Sequence, residues 1–238
     1  MTSLRGKTYW LVGASAGIGA ELARELDRRD VNLVLSARTK GGLAEVAATL
    51  VRPARLVPLD VADAEAVKRE SALLRDIDGV IYMAGDYTPM SAQMWDSSRA
   101  RQISAVNYTG ALNVLGEVVP GFLHRNHGNI VVIGSLAGLT GLPGAVSYGA
   151  STAALMHLAK NLREDMKGTS VRVQRINPGF VDTRLTRKND FHMPFIMTPE
   201  KAATKIATHM ESARFSASFP MLFAWYFKLK AISEIIRS

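Results

Sequence analysis

An α/β fold, with a parallel sheet covered by helices on both faces, is what this sequence predicts. Three observations carry it: short apolar runs recur along the chain, helical periodicity lies between them, and the first run breaks into a glycine-rich turn. The apolar, β-rich runs fall at residues 9–12, 31–35, 54–59, 80–83, 129–133 and 171–176. They are near-continuous rather than alternating, as expected for strands buried on both faces. Between them, Leu22, Ala23 and Leu26, and later Ala153, Leu155, Met156, Ala159 and Leu162, recur at helical spacing. Right-handed crossovers then give a doubly wound, Rossmann-like architecture. A flavodoxin-like sandwich is the alternative until the motifs are counted. No linker, repeat or low-complexity stretch interrupts residues 1–238, so a single domain is expected.

Composition narrows the function. Hydrophobic residues make up 47% and charged residues 21%, a globular balance that excludes a disordered chain. The absence of cysteine excludes disulfides, thiolate catalysis and cysteine-based metal sites. The opening MTSLRGKTYWLVGAS runs directly into a strand and a glycine loop, leaving no room for a signal peptide, so a cytoplasmic location is expected. The net charge of +8 is spread along the chain rather than packed into one aromatic-interleaved run. That pattern argues against a nucleic-acid partner and suits a solvated surface or attraction of a phosphorylated cofactor or anionic substrate.

The first strand ends in Val12-Gly13-Ala14-Ser15-Ala16-Gly17-Ile18-Gly19 and passes straight into helical periodicity. Glycines here let the backbone turn tightly and approach a pyrophosphate, whose charge meets free N–H groups and a helix N-terminus. The spacing is Gly-x-x-x-Gly-x-Gly, not the commoner Gly-x-Gly-x-x-Gly. The second strand ends at Arg38, and no Asp or Glu lies between Val31 and Leu43. An acidic residue there would hold the ribose 2′-hydroxyl of NAD, whereas an Arg accommodates the 2′-phosphate of NADP. NADP(H) is therefore favoured over NAD(H), with Thr39 and Lys40 as helpers. After the third strand, Asp60-Val61 places a carboxylate where an adenine amino group would be accepted.

Further matches follow in order: Ala84-Gly85, Asn107, Ser135, Tyr148 thirteen residues later, and Asn177-Pro178-Gly179 with Val181 and Thr183. With the glycine loop, this ordered set resembles the short-chain dehydrogenase/reductase family over roughly residues 5–215. The resemblance implies hydride transfer between a nicotinamide and a carbonyl/alcohol pair of a small molecule. Ser135 would hydrogen-bond the substrate oxygen. Tyr148 would act as general acid or base. Asn107 would hold a water that relays protons. Pro178, Gly179, Val181 and Thr183 would hold the nicotinamide end. The resemblance also implies a homodimer or homotetramer.

Three positions depart from the family pattern. Val12 stands in place of a Thr and Met83 in place of an Asn, each mainly serving loop hydrogen bonds that apolar packing can replace. Thr152 is different in kind, because the family places a lysine there that binds the ribose hydroxyls and lowers the tyrosine pKa. With a pKa near 10 and no cation beside it, only about one tyrosine in a thousand is ionised at pH 7. Lys160 lies about 12 Å further along the same helix, too far to substitute. A base must be ionised and an acid protonated, so carbonyl reduction should suffer less than alcohol oxidation. A rival reading is a dinucleotide-binding protein without significant turnover, serving as a redox sensor or assembly partner.

Residues 180–197 hold Arg184, Arg187, Lys188, Phe191, His192, Met193, Phe195 and Met197. In the resembled family this segment forms a mobile lid over substrate. Its mix of apolar and cationic residues suits an apolar or lipid-like carbonyl compound with an anionic end, such as an acyl chain on a phosphopantetheine carrier. His192 lacks a second ligand at suitable spacing, so no metal site is expected. The segment 219–238 is aromatic and too short in its apolar run to span a bilayer. Leu222, Trp225, Leu229, Ile232 and Ile236 fall at helical spacing, with Lys228, Lys230 and Arg237 nearby. Packing on the substrate pocket or a partner subunit is the first expectation, and peripheral contact with anionic lipid the second.

Overall fold

The computed structural model describes residues 2–237, apart from the side chains of Lys228 and of residues 231–237. The expectations for Lys228, Ile232, Ile236 and Arg237 therefore lie outside the described residues. Each of the six apolar runs forms a strand whose ends lie within two residues of those read from the sequence. They are β1 (Thr8–Val12), β2 (Asn32–Ala37), β3 (Arg55–Pro58), β4 (Gly79–Tyr82), β5 (Gly128–Ile133) and β6 (Val171–Pro178). A seventh, β7 (Ser216–Phe219), was not expected; it pairs in parallel with β6 at the edge of the sheet. With two serines in four residues and one neighbour, it carries no apolar run for a sequence reading to detect. Strand order is β3-β2-β1-β4-β5-β6-β7, and every pairing is parallel.

Parallel strands need crossovers, and helices supply them on both faces. These are α1 (Gly17–Arg28), α2 (Lys40–Ala47), α3 (Ala64–Ser71), α4 (Ser97–Ser104), α5 (Gly110–His124), α6 (Val146–Asp165), α7 (Pro199–Met210) and α8 (Met221–Arg237). On one face Trp10, Val34, Val80 and Ile130 pack against Val67 of α3, Phe122 of α5 and Leu155 of α6. On the other, Tyr9, Leu11, Leu33 and Ile81 meet Leu22 and Leu26 of α1, Leu43 of α2 and Ile206 of α7. Both sides of each central strand are buried, which is why the strands read as unbroken apolar runs. The buried indole of Trp10 donates to Ser36 Oγ at 2.8 Å, tying β1 to β2 through its one polar atom.

Phe122 is 1% exposed in the layer between α5 and the sheet. Phe122→Ala should cost about 3–5 kcal/mol of unfolding free energy, measured by urea denaturation, through lost burial and the cavity left behind.

Candidate active site

The ends of β1 and β4 approach closely because glycine occupies the turn. Gly13 has φ 101°, and a Cβ there would lie 2.7 Å from the Ala84 backbone nitrogen. A Cβ on Gly19 would overlap the Gly13 carbonyl oxygen, so the first turn of α1 sits directly on the loop. Ala16 offers α1 no capping side chain, which leaves its first N–H groups to a ligand. Gly17 faces Thr183 across the opening, where a Cβ would come within 3.1 Å of the threonine methyl.

A groove of about 540 Å³ runs over the C-terminal ends of the strands. Gly13, Ser15, Gly17, Ile18, Gly19, Arg38, Asp60, Val61, Ala84 and Gly85 line one half, and Asn107, Ser135, Tyr148, Thr152, Pro178, Gly179, Val181 and Thr183 the other. These site residues thus reach one surface, and Thr39 joins them, whereas Lys40, read as a second helper of Arg38, does not line it. Arg38 is exposed at the rim. Asp60, also exposed, accepts the Ala62 N–H at 3.0 Å on one oxygen. Val12 is buried in one core layer and Met83 packs against the other, so both apolar departures are absorbed by packing.

Ser135 follows β5 and accepts the Ala137 N–H at 3.1 Å, which turns its hydroxyl into the groove. Tyr148 and Thr152 lie one turn apart on α6, and the Tyr148 hydroxyl is hydrogen-bonded to both Ser135 and Thr152. Thr152 is 4% exposed. Asn107 occupies a π-helical turn, Ala105–Thr109, between α4 and α5. Its Oδ1 accepts the Asp86 N–H at 2.7 Å, and its Nδ2 donates to Asp86 O at 3.0 Å and to Ser151 Oγ at 3.1 Å. Ser151 Oγ in turn donates to the Tyr148 carbonyl at 3.1 Å. The Asn107 amide therefore ties the loop after β4 to the turn of α6 that carries Tyr148. One acceptor lone pair on its Oδ1 is left over.

Beyond Tyr148 lies a second, apolar cavity of about 120 Å³. Leu142, Pro143, Phe180, Phe191, Phe223 and Phe227 line it, so α8 closes over the site. Tyr87 stands edge-on to Tyr148 at 4.9 Å between ring centroids, and its hydroxyl donates to Asn189 Oδ1 at 2.6 Å. Tyr87 and Asn189 were not singled out in the sequence; nothing local to either residue signals a contact made across the chain. None of the cations Arg184, Arg187 and Lys188 of the 180–197 segment lines this cavity. Arg184 lines the groove, Arg187 bonds Asp182 at 2.9 Å, and Lys188 bonds the Tyr87 carbonyl at 2.5 Å. The segment is also closed at its base, where Asp182 N–H donates to Met197 O at 2.9 Å and Met197 N–H to Phe180 O at 3.1 Å.

Residues 7–193 match the short chain dehydrogenase family. The chain belongs to that family. It is 35% identical to an uncharacterised oxidoreductase of Myxococcus xanthus over 230 residues, 92% of this chain and 90% of the relative. It is 29% identical to a ketoacyl reductase of Nostoc sp., over 87% of this chain and 76% of that protein. Among solved structures, the closed form of a serine dehydrogenase complexed with NADP+ superposes with a TM-score of 0.81 at 25% identity, covering 89% of this chain and 94% of the other.

In this short chain dehydrogenase the tyrosine of the groove holds its proton tightly. Burial raises the Tyr148 pKa above 10.0, and the hydrogen bonds from Ser135 and Thr152 offset that only in part. Among the described residues no Lys or Arg contributes to the shift, and Lys160 is exposed on the same helix outside the groove. A phenol whose folded pKa is raised stabilises the fold at every pH below its unfolded value, and loses that contribution as pH climbs through the folded value. Unfolding free energy should therefore fall as pH rises above 10.0, and fall less steeply in Tyr148→Phe. Absorbance titration should show the same tyrosinate signal in both proteins below that pH.

Proposed function

We propose that this short chain dehydrogenase is an NADPH-dependent reductase of an apolar carbonyl compound, working in the direction of alcohol formation. The observation that carries the reading is the Tyr148 hydroxyl, which stands between groove and apolar cavity with hydroxyl partners and a raised pKa. The residues present fit a dinucleotide. The groove is large enough, and the Gly13–Gly19 turn lies close against its neighbours because a Cβ at Gly13 or Gly19 would meet backbone. The N–H groups at the start of α1 would meet the pyrophosphate, and Arg38 the 2′-phosphate. The solved serine dehydrogenase relative is itself a complex with NADP+.

Bound NADPH supplies a hydride to the carbonyl carbon. Ser135 donates to the substrate oxygen and stabilises the charge growing there. Tyr148 gives its proton to that oxygen as the alcohol forms, a role its neutral form already satisfies at pH 7. Thr152 supports the Tyr148 hydroxyl and offers a neutral partner to a ribose hydroxyl. Asn107 fixes the turn that carries Tyr148, and its remaining Oδ1 lone pair suits a water that returns the proton. Phe180, Phe191, Phe223 and Phe227 exclude water and select an apolar substrate. No cation lines that cavity among the described residues, so its lining favours a neutral apolar group over an anionic end.

At pH 7 the protein should reduce carbonyl compounds in single turnover far faster than it oxidises the matching alcohols. Equal rates in both directions would overturn the reading, and NADPH binding with no turnover on an aldehyde and ketone panel would favour a sensor. Thr152→Lys should lower the Tyr148 pKa and raise its ionised fraction about ten- to thousandfold, accelerating alcohol oxidation while leaving reduction comparatively unchanged. Arg38→Ala should weaken NADPH about ten- to hundredfold in a fluorescence titration and leave NADH nearly unaffected, because only the 2′-phosphate loses a charged hydrogen bond.

A further inference from the structure

Among the described residues of α8, 221–227, 229 and 230, apolar side chains face two ways, and one set is exposed. Phe223, Ala224 and Phe227 turn inward, against Leu136, Leu139 and Leu142. Leu222, Trp225, Tyr226 and Leu229, spaced i, i+3, i+4 and i+7, form a single outward stripe that is between 58% and 76% exposed. A helix apolar all round is ordinarily buried on both sides. The exposed stripe is continuous with the 180–197 segment, because the Phe195 ring lies 5.9 Å from Phe223, which stacks on Tyr226 at 6.4 Å. Phe195 is itself 58% exposed and held at φ 57°, a conformation that costs a bulky residue energy. Phe191, half exposed, joins the same surface and also lines the apolar cavity. The exposed aromatic and leucine side chains thus share a surface with Phe191, which also lines the apolar cavity.

We infer that this face docks on an anionic lipid bilayer, with Phe191 on the lipid side of the cavity it lines. Charge selects the occupant. Segments 180–197 and 219–238 carry six Lys or Arg against three Asp or Glu, within a chain of net charge +8. Two copies meeting through this face would set like charges together, whereas an anionic surface neutralises them. Trp and Tyr beside Leu and Phe, with basic residues in the same segments, are the composition of a helix lying in the headgroup layer. None of the described helices is long and apolar enough to cross a membrane, so α8 lies in the plane of the interface. An apolar carbonyl compound would then pass from lipid to cavity without crossing water. The docking itself needs no turnover, so its test is independent of the catalytic reading.

Flotation of the full chain with phosphatidylcholine vesicles, with and without phosphatidylserine, tests this. Binding should be at least about tenfold stronger on the anionic vesicles and weaken with added salt. The double variant Leu222→Glu/Leu229→Glu alters two exposed positions, so circular dichroism and thermal midpoint should stay unchanged while anionic binding falls by at least about tenfold. Equal binding to both vesicle types overturns the inference, as does binding that survives the double substitution. A homodimer in sedimentation analysis that this variant dissociates, with no vesicle binding by the parent chain, would assign the face to self-association instead.

Discussion

Parallel pairing of β1 with β4 is the constraint on which the rest of the site depends. The register joins Val12 to Tyr82, so both strands end at the same level and their following loops emerge side by side. Strand order reverses at this point, with β2 and β3 on one flank and β5, β6 and β7 on the other. The helices after β1 and β4 cannot both cover the crevice, and a groove is left open between them. Gly13 and Gly19 let the backbone of one loop touch the other. Once the two loops are in contact, the ends of β5 and β6 have to deliver Ser135 and Pro178–Gly179 to the same surface.

Within that groove the proposed reaction turns on one proton. Tyr148 is held by two hydroxyl partners and the packing of Tyr87 against its ring, and each of these is neutral. Burial without a compensating cation favours the uncharged phenol. On the proposed reading this arrangement positions a proton donor, and no cation among the described residues contributes to making it a ready base. Asn107, bonded to Asp86 and Ser151, serves that geometry by bracing the turn beneath the tyrosine.

The apolar cavity depends on a different part of the chain. Its outer wall comes from α8 and the 180–197 segment, whose aromatic rings meet around Phe223. The sequence reading of the tail gave packing on the substrate pocket or on a partner subunit; in the structure Phe223 and Phe227 line the apolar cavity. The cations of 180–197, read in the sequence as suiting an anionic end of the substrate, find partners within the chain: Arg187 bonds Asp182 and Lys188 the Tyr87 carbonyl. A sequence shows which residues are charged, but not which carbonyl or carboxylate will be nearest after folding.

What the sequence determined by itself is what local physics and periodicity encode. Near-continuous apolar runs mark strands buried on both faces, and glycines at 13, 17 and 19 mark a tight turn, with no room for a Cβ at positions 13 and 19. The order and spacing of Asn107, Ser135, Tyr148 and Thr152 mark the groove they line. Tertiary structure alone decided the edge strand β7, whose four residues pair with β6 without an apolar signature. It also decided the Tyr87–Asn189 bond, made between residues 102 positions apart. The raised pKa of Tyr148 and the half-covered face of α8 belong to the same class. Each depends on what lies across space from a residue, and neither a repeat nor a spacing along the chain records that.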